Sequence, residues 1–185
     1  ALAQGPDPRQ VYIQSISYGG SGCPQGSVGQ SISNDRTSFT LIFDQFVAAS
    51  GPGVPVTEAR KNCQINVNLH VPAGVGNSIV SLDYRGYVQL DAGAQATQGA
   101  VYDFAGNSPR QSSTDFAGPL AVDYLQSDAV PLLTQKLELP ACGGVVPLNV
   151  NSQIRIYPGT DSSLMTTDSI DGRVRTLGRL PDVGC

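Results

Sequence analysis

The chain has 185 residues, 40% hydrophobic, 14% charged and 6% aromatic, and its 21 Gly and 13 Pro leave little room for long helices. That length makes one domain, residues 1–185, with a core of its own, and an apolar share this ordinary excludes a disordered acidic tail or a collagen. A formal net charge of −4 with only two lysines, Lys61 and Lys136, excludes a basic stripe for nucleic acid, and no apolar run is long enough to span a membrane.

The chain opens on Ala1-Leu2-Ala3, without the charged and apolar parts of a signal peptide, and reads as a soluble, mature form whose leader is gone. From there a periodicity near two dominates. Residues 11–18 make the first strand. The string YGGSGCPQG (Tyr18 to Gly26) leads into strand rather than helix, so it is a tight turn beside Cys23 and not a phosphate cradle. Phe39, Leu41 and Phe43 alternate with Thr40, Ile42 and Asp44 in the next strand. AASGPGVPV (Ala48 to Val56) reads as a loop. The one helical candidate is a turn over Thr57 to Lys61, with Thr57 as cap and Glu58 at the positive end.

Ile65, Val67, Leu69 and Val71 alternate with Asn66, Asn68 and His70, the pattern of a half-buried strand. Residues 79–90, 99–104, 120–125, 132–139, 150–157 and 170–176 supply further strands, with Gly106 to Pro119 as a surface loop. Short strands at short intervals, with no helix to cover them, must bury their apolar faces on one another. The expected fold is all-β, a two-sheet antiparallel β-sandwich, jelly-roll-like, with at most one short helix; a closed barrel is the alternative.

Cys23, Cys63, Cys142 and Cys185 are far apart, with no CxxC and only His70 as a further soft ligand, so no zinc spacing exists and two disulfides are expected. Of the three pairings, Cys23 with Cys63 and Cys142 with Cys185 is preferred, because each closes a local loop of about 40 residues, which stabilises by roughly 4 kcal/mol in the chain-entropy model. The compartment is then oxidising, secreted or periplasmic. There is no N-x-S/T sequon.

The most informative segment is IVSLDYRGYVQLD (Ile79 to Asp91). Extended, it turns Val80, Leu82, Tyr84, Val88 and Leu90 to one face and Ser81, Asp83, Arg85, Tyr87, Gln89 and Asp91 to the other. That polar side is the candidate ligand-binding surface, with Asn66, Asn68 and His70 joining it from a neighbouring strand and Tyr87 as the aromatic platform. A solvated outer face held by cross-strand pairs would carry the same residues.

YGGSGCPQGS (Tyr18 to Ser27), DRTSFTLIFDQF (Asp35 to Phe46), RKNCQINVNLH (Arg60 to His70) and IVSLDYRGYVQLDAG (Ile79 to Gly93) closely resemble the fungal and bacterial secreted family catalogued as domain of unknown function 4360. The resemblance implies a secreted protein of a filamentous fungus, with its leader removed and its cysteines paired. It implies no established activity and carries across no catalytic residue.

The remaining chemistries narrow quickly. Copper monooxygenases of fungal secretomes need the N-terminal amine and two histidines, and only His70 exists. A Ser-His-Asp triad would also need His70, and no GxSxG elbow is present. Asp83 and Asp91 stand roughly 26 Å apart on one strand, too far to flank a glycosidic bond together, so a carboxylate hydrolase needs a partner from another strand. A glutamic-peptidase-like pairing of Glu138 with Gln89 has no further motive. The loop Tyr157 to Asp171 offers Asp161, Asp168 and Asp171 to calcium, but Asx turns use the same residues. The expectation is therefore a secreted binding module for cell-wall polysaccharide or another surface ligand, with no cofactor and no metal. The alternatives are an acid hydrolase and a wall-associated structural protein.

Overall fold

The computed structural model describes residues 5–104, 109–133 and 143–179. Two antiparallel sheets pack face to face in a jelly-roll-like β-sandwich. The strands are β1 (Tyr12–Gly19), β2 (Val28–Ile32), β3 (Ser38–Phe43), β4 (Val47–Ser50), β5 (Arg60–Pro72), β6 (Val75–Leu90), β7 (Gln95–Phe104), β8 (Arg110–Ala117), β9 (Leu120–Leu133), β10 (Gly143–Tyr157), β11 (Ser163–Thr166) and β12 (Ser169–Arg179). One sheet has the order β1-β5-β10-β7-β8. The other runs β2-β3-β12-β6-β11-β4, with β9 on the free edge of β6.

Alternation builds the core. Ile65, Val67, Leu69 and Val71 of β5 and Val146, Leu148, Val150, Ile154 and Ile156 of β10 point inward from the first sheet; Val80, Leu82, Tyr84, Val88 and Leu90 of β6 meet them from the second. Each fully buried Leu, Ile or Val contributes roughly 1.5–3 kcal/mol by leaving water. Cys23, in the β1–β2 connection, is bonded to Cys63 in β5, and both are completely buried. The expected partners of the second bond, Cys142 and Cys185, lie outside the described residues.

Several expectations change, among them the loop read over Tyr157 to Asp171, which contains strand β11 and the start of β12. The stretch read as a loop over Ala48 to Val56 begins with strand β4, whose Ala48 and Ser50 point inward. Arg110 to Ala117, also read as loop, is strand β8, because its inward Ser112 and Thr114 bond polar partners on β9 instead of burying apolar carbon. Residues 120–125 and 132–133 are one strand, and residues 134–139 lie outside the described residues. The helical turn is a 3₁₀ turn over Val56–Ala59; Pro55 holds the cap position, so Thr57 lies inside it, while Glu58 stands in the first turn as expected and also pairs with Lys61 at 3.0 Å.

β5 and β6 are joined by only two residues yet belong to different sheets. Gly74, with φ of +81°, turns the chain across the sandwich where most side chains would be strained. Both edges of β5 are already taken by β1 and β10, and both edges of β6 by β9 and by β12 with β11. The outer faces of these two strands therefore look in opposite directions.

Candidate functional site

That crossover separates the residues expected to form one site. Asp83, Arg85, Tyr87 and Gln89 lie on the outer face of the seven-stranded sheet, whereas Asn66, Asn68 and His70 lie on the outer face of the five-stranded sheet, with the whole core between. The sequence reading placed the two segments on neighbouring strands; the Gly74 turn instead carries the chain from one sheet to the other.

On the seven-stranded face Asp83, Arg85 and Asp171 satisfy one another. Arg85 lies 3.9 Å from Asp83 and 3.6 Å from Asp171, which stands directly opposite Asp83 in the register. Ser127 Oγ donates to Asp83 and Thr40 Oγ1 to Asp171, both at 2.6 Å. Exposed Ile42 and Leu125 flank this triad. Asp91 is a clamp between loops: it accepts hydrogen bonds from Ser163 Oγ at 2.6 Å and from the backbone N–H of Asp161 at 2.8 Å. The Ser163 hydroxyl, then the Asp161 amide, holds the Asp91 carboxyl below its ordinary pKa. Tyr87 is half-buried, and its backbone N–H donates to Thr166 Oγ1.

The five-stranded face is different in kind. Asn62, Gln64, Asn66 and Asn68 alternate along the outside of β5, and Asn149, Asn151 and Gln153 along β10. The register sets Asn149 opposite Asn66, Asn151 opposite Gln64 and Gln153 opposite Asn62, so three consecutive outward rungs carry an amide on each strand. A concavity of about 600 Å³ opens over this ladder, lined also by Ser17 and Tyr18 of β1 and by Val101 and Asp103 of β7. Asn66 Nδ2 donates to Asn149 Oδ1 at 2.6 Å and Asn68 Nδ2 to Ser15 Oγ at 3.0 Å, which orients those two amides. Gln64 and Asn151 make no side-chain hydrogen bond among the described residues, and Asn151 Oδ1 is a buried acceptor without a donor. An amide offers donors and an acceptor without net charge, which matches hydroxyl groups. His70 stacks on Tyr12 with ring centroids 4.4 Å apart, and its Nε2 meets the Pro8 carbonyl at 3.2 Å.

A family model described as Domain of unknown function (DUF4360) matches residues 9–181. The chain belongs to this family. It is 45% identical over 170 residues to an uncharacterized secreted protein of Arthroderma benhamiae, covering 90% of this chain and 68% of that protein. Among solved structures it is similar to TmCBM61 in complex with β-1,4-galactotriose, at 11% identity and a TM-score of 0.37 over 90% of this chain and 91% of that one. Carbohydrate-binding module CBM6cm-2 from Cellvibrio mixtus lichenase 5A follows at 11% and 0.28, over 87% of this chain and 97% of that one. Eiger TNF from S. frugiperda gives 18% and 0.30, over 64% and 69%. At TM-scores this low none of the three bears on ligand or activity.

This DUF4360 member is a secreted, extracellular protein, and its buried disulfide suits that compartment. The candidate chemistries set aside by the sequence land in separate places. Asp161 accepts from the backbone N–H of Ser162, Asp168 accepts from Thr166 Oγ1, and Asp171 belongs to the Arg85 triad; no group of three or more His, Cys, Asp or Glu that could hold a metal occurs among the described residues. Glu138 lies outside the described residues, so its pairing with Gln89 has no geometry. Gln64, Asn149, Asn151 and Gln153 were not singled out from the sequence. Their signal was the same period-two amide pattern, present in both NCQINVN and NVNSQ.

Proposed function

We propose that this secreted protein binds polysaccharide, and that the chain of sugars lies across the outer face of the five-stranded sheet. The amide ladder of β5 and β10 beneath its concavity is the observation that carries this reading. Asn is among the residues depleted from strands, so lining two central strands with amides works against local propensity. Departures of that sort are expected where a surface is shaped for something other than folding. Neutral donors and acceptors at the regular spacing of a pleated sheet suit a ligand that repeats its own hydroxyls, and Tyr18 and Val101 give the floor some apolar area. Of the residues chosen from the sequence, Asn66 and Asn68 belong to this site; Asp83, Arg85 and Asp91 act as ties within the scaffold.

Pull-down on insoluble chitin, cellulose and β-1,3-glucan, with parallel assays for released reducing sugar, tests the reading. Asn66→Ala with Asn149→Ala should abolish retention, and Asp83→Ala should leave it intact. Retention that survives the amide variants but not Asp83→Ala would move the site to the other sheet. Steady release of sugar would replace a binding protein with a hydrolase.

A further inference from the structure

The amide ladder ends in charge. Beyond Gln153 the next outward residue of β10 is Arg155, and its direct partner on β5 is Arg60. Like charges placed opposite one another weaken a sheet, and a chain of net charge −4 has carboxylates available to offset them. None is used: the ion pairs among the described residues are Arg9–Asp7, Lys61–Glu58, Arg85–Asp83 and Arg85–Asp171, and neither Arg60 nor Arg155 is among them.

Both guanidiniums are held in place by uncharged neighbours. Arg60 Nη2 donates to Gln153 Oε1 at 3.1 Å, and the Arg155 guanidinium lies 4.6 Å from the centre of the Tyr157 ring. Together they border a second concavity of about 670 Å³, where Pro52, Pro55 and Val56 supply apolar wall. Val56 is 89% exposed there. The carboxylate that lines this space, Asp161, accepts the N–H of Ser162. Asp115, the nearest acid along the same rung, accepts from Thr97 Oγ1, with Thr97 standing between it and Arg155. Arg155 lies four residues from Asn151, roughly 13 Å along one strand, so a single extended ligand reaches both.

We infer that Arg60 and Arg155 form an anion-reading subsite, selecting polysaccharide whose sugars bear carboxylates, such as uronic acids. This rests on the amide face being the polysaccharide surface. A guanidinium fork matches a carboxylate by two parallel hydrogen bonds, and the cation–π contact with Tyr157 holds the Arg155 head in place beforehand.

Affinity electrophoresis or calorimetry on the intact protein tests the subsite, with polygalacturonic acid and its fully methyl-esterified form as probes. The two share a backbone and differ in charge. The unesterified polymer should bind about tenfold more tightly, and Arg155→Gln or Arg60→Gln should remove that preference while leaving the ester's affinity unchanged. Arg155→Lys keeps the charge but not the fork, so it too should lose most of the preference. Equal binding of acid and ester overturns the subsite and leaves the amide face standing. Tighter binding of a sulfated dextran of equal charge overturns the choice of carboxylate. Binding to neither uronate polymer overturns the subsite, and only if chitin, cellulose and β-1,3-glucan also fail does the amide face fall with it.

Discussion

At Gly86 the inward face of β6 carries no side chain, because the space is filled from β9. A Cβ built there would lie 2.0 Å from the Thr166 carbonyl oxygen and 2.6 Å from the Tyr124 ring. The Tyr124 hydroxyl donates to that same carbonyl at 2.6 Å, so neither neighbour is free to yield. Gly86→Ala should therefore destabilise the fold by about 1–3 kcal/mol, lowering the urea midpoint without changing the slope; a loss under about 0.5 kcal/mol would show that the ring repacks. Asp91 makes a different prediction. Its folded pKa is depressed, so the stability it adds is complete above its ordinary value near 4 and is lost as pH falls through the lowered one. Melting curves of Asp91→Asn should fall less steeply than wild type below about pH 4 and run parallel to it between pH 5 and 8. Parallel curves throughout would mean that the Ser163 clamp gains nothing from the charge.

β8 and β9 show why some elements were invisible as sequence. A half-buried strand is recognised by alternating apolar residues, and β8, RQSSTDFA, has almost none. Its inward Ser112 donates to Asp128 Oδ1 at 2.6 Å, and Thr114 donates to Gln126 Oε1 at 2.8 Å. Tyr102 donates to Asp128 Oδ2, and the Tyr84 hydroxyl donates in turn to Tyr102 at 2.7 Å. Desolvation, above all, raises the pKa of Tyr84 and Tyr102 well beyond the ordinary phenol range, so both stay neutral donors. This seam is polar but satisfied, and its pattern resembles a loop when only hydrophobicity is read. β2, β4 and β11 were missed for a simpler reason: at four or five residues each they carry too few alternations to register. The long alternating parts of β5 and β6, Ile65 to Val71 and Ile79 to Leu90, were legible down to the face of each residue, whereas of β10 only residues 150–157 were read as strand and its first half was missed. Asp128→Ala strips the acceptor from several donors at once and should cost about 1–3 kcal/mol, against less than about 0.5 for Asp123→Ala, which points outward on the same strand. Similar losses from both would mean that the seam adds nothing beyond ordinary strand pairing.

For the molecule as a whole, the legible part of the site was its chemistry and the illegible part its geometry. NVNLH and LDYRGYVQLD both displayed polar faces, but no residue in either string states that Ala73 and Gly74 carry the chain from one sheet to the other. Once it does, the two polar faces are separated by a core about 10 Å thick plus both sheets, and no rigid ligand touches both. This makes a footprint decisive. In amide-resolved NMR, titration with β-1,3-glucan oligosaccharides or galacturonate oligomers should shift resonances of Gln64, Asn66, Asn149 and Asn151, with Arg60 and Arg155 added for the acidic oligomers alone. Ser81, Asp83 and Arg85 should stay still. Because the sandwich is a closely packed body tied by the buried Cys23–Cys63 disulfide, shifts that crossed to β6 without touching β5 and β10 would place the ligand on the ion-pair triad. Such a result would require the amide ladder to be a solvated sheet surface, its strand-averse residues unexplained by binding.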